Sequence, residues 1–135
     1  MELLKQAKIA IRASTDIVAA RQIVRKWAIE VGFSLIDQTK VITAASELAR
    51  NTLEYGTGGD MEIALLTDGI SRQGLRMIFE DNGPGIENVE LALTDGYSSG
   101  VGLGMGLSGS KRLMNEFSLD TEIGKGTRVT ITKWK

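Results

Sequence analysis

The chain has 135 residues, a length that suits one domain of ordinary size able to bury a core of its own. Its 16 Lys and Arg nearly cancel its 17 Asp and Glu, so no broad basic field exists to hold nucleic acid or an acidic membrane. With no Cys and no His, disulfides, thiolate nucleophiles, imidazole bases and Cys- or His-bound metals are excluded; any catalysis must use carboxylates, Lys, hydroxyls, backbone dipoles or an oxygen-bound cation such as Mg²⁺.

Met1 to Ala10 carries Glu2, Lys5 and Lys8 among its apolar residues, which breaks up any signal-peptide core, and no window approaches the ~20 apolar residues of a membrane span. A soluble, cytoplasmic protein is expected. Lys8 to Ala13 alternates and reads as a first strand, ended by Ser14-Thr15-Asp16, residue types that favour helix N-caps. From Ile17 to Val31 the apolar residues Ile17, Ala20, Val24, Trp27, Ala28 and Val31 fall at helical spacing, Gly32 stops the run, and Arg21 and Arg25 lie on or near the other side.

A second helix is expected from about Ser34 to Tyr55, with an inner stripe of Val41 or Ile42, Ala45, Leu48, Ala49 and Thr52 and with Glu47, Asn51 and Glu54 on a neighbouring face. Gly56-Thr57-Gly58-Gly59 ends it. Met61 to Thr67 and Leu75 to Glu80 read as strands joined by a glycine-containing hairpin loop, which leaves Asp81 at a strand's end. Asn88 to Val101 is polar and glycine-containing enough for a mobile lid. Leu107 to Phe117 reads as a third helix, and Leu119 to Ile123 with Thr127 to Trp134 as a hairpin across Gly124-Lys125-Gly126.

Three segments in this order carry chemistry. Glu47-Leu48-Ala49-Arg50-Asn51 sets an acid and an amide four apart on one helix, able to supply a base and a metal ligand. Asp81-Asn82-Gly83-Pro84-Gly85-Ile86 follows a strand, and Gly102-Leu103-Gly104-Met105-Gly106-Leu107 leads into a helix. Glycines in close repeat let backbone N–H groups approach a phosphate with no Cβ in the way, and a helix start adds its positive end.

Each segment alone also has a plainer reading. Glu47, Arg50 and Glu54 fit an ion-paired, solvated helix face, and Asp81-Asn82-Gly83 fits an ordinary turn. Gly104 to Gly109 matches G-x-G-x-x-G, but the hydrophobic strand a dinucleotide fold needs does not precede it. No P-loop exists: Lys111 follows Ser110, and Gly124-Lys125 is followed by Gly126. The order of all three segments is what joins them into one nucleotide site.

In that order the motifs resemble the GHKL ATP-binding family, the Bergerat fold shared by histidine-kinase catalytic domains, gyrase-type ATPases and small anti-sigma-factor serine kinases. Glu47 to Asn51 looks like the N box, Asp81 to Gly85 the G1 box, Gly102 to Gly106 the G2 box and Gly126-Thr127 the late Gly-Thr pair. The opening strand and the stretches Asp16 to Arg21 and Lys111 to Leu119 look most like the stressosome switch kinases. The resemblance spans nearly the whole chain. It implies an α+β fold, a two-layer α/β sandwich with a mixed, mostly antiparallel sheet and helices on one face, as a single domain over residues 1–135.

The resemblance also implies roles. Glu47 would be the general base on the attacking hydroxyl, and Asn51 would ligate Mg²⁺ and belong to the ATP site. Asp81 would accept the adenine amino group, with Thr127 supporting it through water, and Gly83 and Gly85 would admit the base beside the backbone. Gly102, Gly104 and Gly106 would bring the end of the lid over the phosphates. Arg21 lies near the position anti-sigma relatives use against their partners. The cofactors implied are ATP and Mg²⁺; the partners implied are STAS-domain proteins phosphorylated on Ser or Thr and a PP2C-type phosphatase bound and activated, with no nucleic acid and no membrane. No phospho-acceptor helix is attached, so the acceptor is expected on another protein. The alternatives are an anti-sigma factor or ATP-gated binding module with little turnover, and a bare ATPase in which Glu47 activates water.

Overall fold

The computed structural model describes residues 1–93 and 105–135, with the backbone only at residues 105 and 106. In chain order its elements are β1 (Glu2–Ile11), α1 (Ser14–Val31), α2 (Leu35–Glu54), β2 (Gly59–Thr67), β3 (Gln73–Asp81), α3 (Val89–Ala92), α4 (Met105–Leu113), β4 (Glu116–Glu122) and β5 (Gly126–Trp134). β1 begins at Glu2 rather than Lys8 and stops at Ile11. Its first half hid because the register shifts between Leu3 and Lys5, and a bulge there breaks the period-two signal.

The N-cap of α1 is Ala13, not one of Ser14-Thr15-Asp16. Asp16 acts instead from inside the first turn, where its carboxylate accepts the backbone N–H groups of Arg12 at 2.8 Å and Ala13 at 3.0 Å. Ala20, Val24, Trp27, Ala28 and Val31 form the buried stripe, and Gly32, at φ +89°, closes the helix in the left-handed region. For α2, Ser34 is the cap and its Oγ accepts the N–H of Asp37 at 3.1 Å. Val41 rather than Ile42 takes the inward position, and Ala44 joins it beside Ala45, Leu48, Ala49 and Thr52.

The strands form one sheet in the order β1-β2-β3-β5-β4. Every described pairing is antiparallel, so the sheet is more uniform than the mixed one expected. Ile9, Met61 and Phe79 stand beside one another across β1, β2 and β3, as do Ala7, Ile63 and Met77, and β5 continues these rows with Val129 and Ile131. That face is buried under α1 and α2 and makes the core, the two-layer α+β arrangement. At the β2–β3 hairpin the Asp68 carboxylate accepts the N–H groups of Ile70, Ser71 and Arg72, and the bonds from Ile70 and Arg72 above all hold it below its ordinary range.

The expected helix from Leu107 to Phe117 is shorter than its pattern. α4 ends at Leu113 and Phe117 lies in β4 opposite Ile131. Asn115 begins the change, its N–H donating to Thr132 O at 3.0 Å and its Oδ1 accepting the N–H of Trp134 at 2.7 Å. Of the expected lid, residues 88–93 are described and contain the single turn α3; residues 94–101 lie outside the described residues. Among the described residues no helix is long and apolar enough to cross a membrane.

Candidate functional site

The last turns of α2, the end of β3 with the loop after it, the start of β5 and the first turns of α4 converge on a cavity of about 130 Å³. Its walls are apolar, from Leu48, Phe79, Ile86, Leu107 and Val129, and its polar groups are few: Asn51, Thr52, Tyr55, Asp81 and Thr127. That is the make-up of a small-molecule site, an apolar slot oriented by a few convergent polar atoms.

Asp81 and Thr127 meet because they are partners in the β3–β5 ladder. The Asp81 carboxylate accepts the N–H of Gly83 at 2.9 Å and the N–H of Thr127. Burial pushes its pKa above the ordinary carboxylate range; those two N–H groups offset only part of the rise, and the nearby charge of Glu80 adds to it. Gly56 stands against this carboxyl so closely that a Cβ on it would lie 2.3 Å from the Asp81 carboxyl carbon. Gly85, at φ +81°, lets the loop after β3 press on the β4–β5 hairpin, where a Cβ would lie 2.5 Å from Glu122 O. Both Gly83 and Gly85 therefore serve close backbone packing around the slot, with Gly85 also lining it.

Asn51 faces the cavity with its side-chain nitrogen buried and, among the described residues, without a hydrogen-bond partner. Such an atom costs free energy unless a ligand or water satisfies its amide. Glu47 sits one turn earlier on α2 but does not line the cavity; its Oε1 accepts a bond from Arg50 Nη1 at 3.0 Å, and both side chains are half exposed. Among the described residues no cluster of Asp, Glu, His or Cys could hold a metal alone. A cation here would take the Asn51 amide oxygen and draw its other ligands from phosphates and water, the coordination Mg²⁺ favours.

Of the other expected site residues, Gly106 falls in the first turn of α4, one residue before cavity-lining Leu107, and Gly102 and Gly104 lie outside the described residues. Arg21 is exposed on α1, away from the cavity, in a stripe with Val18, Arg25 and Ile29. Sequence reasoning missed Gly56, whose Gly56-Thr57-Gly58-Gly59 run read only as a helix stop, and the apolar walls, whose residues look like ordinary core.

Residues 36–135 match the family model of the histidine kinase-, DNA gyrase B-, and HSP90-like ATPases. The serine/threonine-protein kinase RsbT of Bacillus subtilis is 46% identical over 129 residues, 96% of this chain and 96% of that protein. An anti-sigma F factor of Clostridium kluyveri is 32% identical over 117 residues, 84% of this chain and 82% of its own. In fold, the chain resembles the RsbU and RsbW domains of a Mycobacterium tuberculosis protein, with a TM-score of 0.62 and 20% identity over 96% of this chain and 32% of that one. It also resembles the structure of the SiaB-SiaC complex of Pseudomonas aeruginosa, with a TM-score of 0.54 and 11% identity over 98% of this chain and 91% of that one.

Proposed function

The chain belongs to the histidine kinase-, DNA gyrase B-, and HSP90-like ATPase family and is an ATP-dependent protein serine/threonine kinase, and from that premise we propose that it phosphorylates STAS-domain partners and then binds and activates a PP2C-type phosphatase. The single observation that carries the reading is the cavity itself, an apolar slot lined by both the Asp81 carboxylate and Asn51, whose buried side-chain nitrogen has no hydrogen-bond partner among the described residues.

The adenine lies in the slot, its amino group donating to Asp81 and to Thr127 through water. The phosphates extend past Asn51 toward the N-terminus of α4, in whose first turn Gly106 lies. Mg²⁺, when bound, shields the phosphates and stabilises the charge on the transferring group. Glu47 takes the proton from the partner's hydroxyl as that oxygen bonds to the γ-phosphorus; the bond to the bridging oxygen breaks and ADP leaves. The Arg50 contact uses only Oε1 of Glu47, which leaves Oε2 to take the proton.

Glu47 and Asn51 one turn apart on α2 favour turnover over nucleotide binding alone. The chain's similarity to a serine/threonine-protein kinase and to anti-sigma factors supports an acceptor on another protein and partner switching as the mode of action. Incubation with γ-labelled ATP and a STAS-domain protein tests this. Label on a Ser or Thr of the partner is expected; free phosphate alone would make the chain a bare ATPase, and bound ATP with neither product would make it a binding module.

A further inference from the structure

Thr121, on β4, belongs to none of the motif segments and stands directly opposite Thr127 in the β4–β5 ladder. Three polar atoms meet its one hydroxyl: the N–H of Ile86 at 2.9 Å, the carbonyl oxygen of Gly126 at 3.1 Å and Oγ1 of Thr127 at 3.0 Å. A hydroxyl has one proton and two acceptor lone pairs. The Ile86 N–H can only donate, so it takes one lone pair. The Gly126 carbonyl can only accept, so it takes the proton. The third contact is then a hydrogen bond only if Thr127 donates to the remaining lone pair. The reverse assignment would leave two oxygens 3.1 Å apart with no proton between them.

The count has a consequence for the cavity. Thr127, whose proton is held by Thr121, offers only lone pairs to anything bound there, and the Asp81 carboxylate beside it, in its ionised form, likewise only accepts. A water bridging the two would give one proton to each and turn its own lone pairs on the base. We propose that Thr121 is a specificity-determining residue: by fixing the polarity of Thr127 it makes this end of the pocket acceptor-only, so that a 6-amino purine is taken in preference to a 6-oxo purine. This rests on the reading of the cavity as the ATP base pocket. Thr121 acts through Thr127 and through the backbone of cavity-lining Ile86, without touching the nucleotide.

The test compares ATP with ITP, which differs in carrying an oxygen where ATP carries the amino group, by calorimetric titration in the presence of Mg²⁺. Thr121→Val keeps the shape and removes the hydroxyl, freeing Thr127 to turn its proton toward a 6-oxo group. The ATP-over-ITP preference of the wild type is expected to fall about tenfold, the worth of one hydrogen bond of correct polarity. Thr121→Ser restores the hydroxyl and is expected to keep the preference. Thr127→Val, a second isosteric change that reads out even where Thr121→Val folds poorly, is expected to lose it too. A merely structural Thr121 would weaken both nucleotides equally and leave their ratio unchanged, which overturns the proposal. So does a wild type that binds ATP and ITP alike. A wild type that binds no ATP overturns the base-pocket reading itself and the proposal with it, an outcome distinct from a selective wild type whose Thr121→Val variant keeps its preference.

Discussion

Among the described residues the buried amide nitrogen of Asn51 has no partner, and such a group is satisfied by a ligand or by water. Asn51→Ala is therefore expected to abolish Mg²⁺-dependent ATP binding without lowering thermal stability; calorimetry and a melting curve on one preparation check both, and retained ATP binding contradicts the role. Asp81→Asn replaces an acceptor by an amide that can turn a donor toward the adenine amine, and a loss of roughly 1–3 kcal/mol in ATP affinity follows. Equal affinity in the two proteins would exclude Asp81 as the adenine reader. Because burial raises the Asp81 pKa, adenosine affinity should fall as pH drops through that raised value, and the dependence should vanish in Asp81→Asn; adenosine is the probe because it carries no phosphates to titrate. Stability has the opposite sign. The folded chain holds the Asp81 proton more tightly than the unfolded chain, so this group favours the fold in acid and loses that contribution as pH rises through the folded pKa.

Among the elements, α4 brings cavity-lining Leu107 to the site with its first turns, and its last turn is tied down by a buried lysine. Lys133 Nζ donates to Leu113 O at 3.2 Å and lies 3.8 Å from Asp37 Oδ1 in the first turn of α2. Lys133→Met keeps the aliphatic stem but removes both partners' charge-assisted contact, and should cost about 1.5–3 kcal/mol in a denaturant titration; an unchanged midpoint would mean α4 is held by packing alone. The helices α1 and α2, the central strands and the position of Asp81 at the end of β3 were legible in the sequence, because each carries a strong local signal of period, cap or glycine; Thr127 was singled out only by the family resemblance. The end of α4 was not legible. Phe117 fits the helical spacing from Leu113 as well as it fits the alternation with Leu119, and the pairing with Ile131 that decides between them is long-range. Thr121 and Gly56 were illegible for the same reason: each matters through a partner in another element, Thr127 or the Asp81 carboxyl.

Across the whole molecule, the nucleotide cavity and the exposed stripe of α1 are separate surfaces, which suits a protein that must hold ATP and a partner at once. Val18, 51% exposed, and Ile29, 57% exposed, flank Arg21 and Arg25 on that stripe, so apolar area and positive charge lie together. Arg21→Ala should weaken the STAS-domain or phosphatase complex by on the order of 1–3 kcal/mol, as for an interfacial Arg anchor, and leave ATP affinity untouched. Unchanged partner affinity sinks that assignment, and loss of both affinities would point to misfolding. Transfer to a partner by a carboxylate base is most directly tested by the single-turnover rate of label transfer from γ-labelled ATP to a STAS-domain protein, with wild type and Glu47→Ala at saturating nucleotide. Glu47→Ala should bind ATP as the wild type does and transfer phosphate about two to four orders of magnitude more slowly, the usual contribution of a positioned general base. A folded Glu47→Ala variant that transfers at the wild-type rate would contradict it.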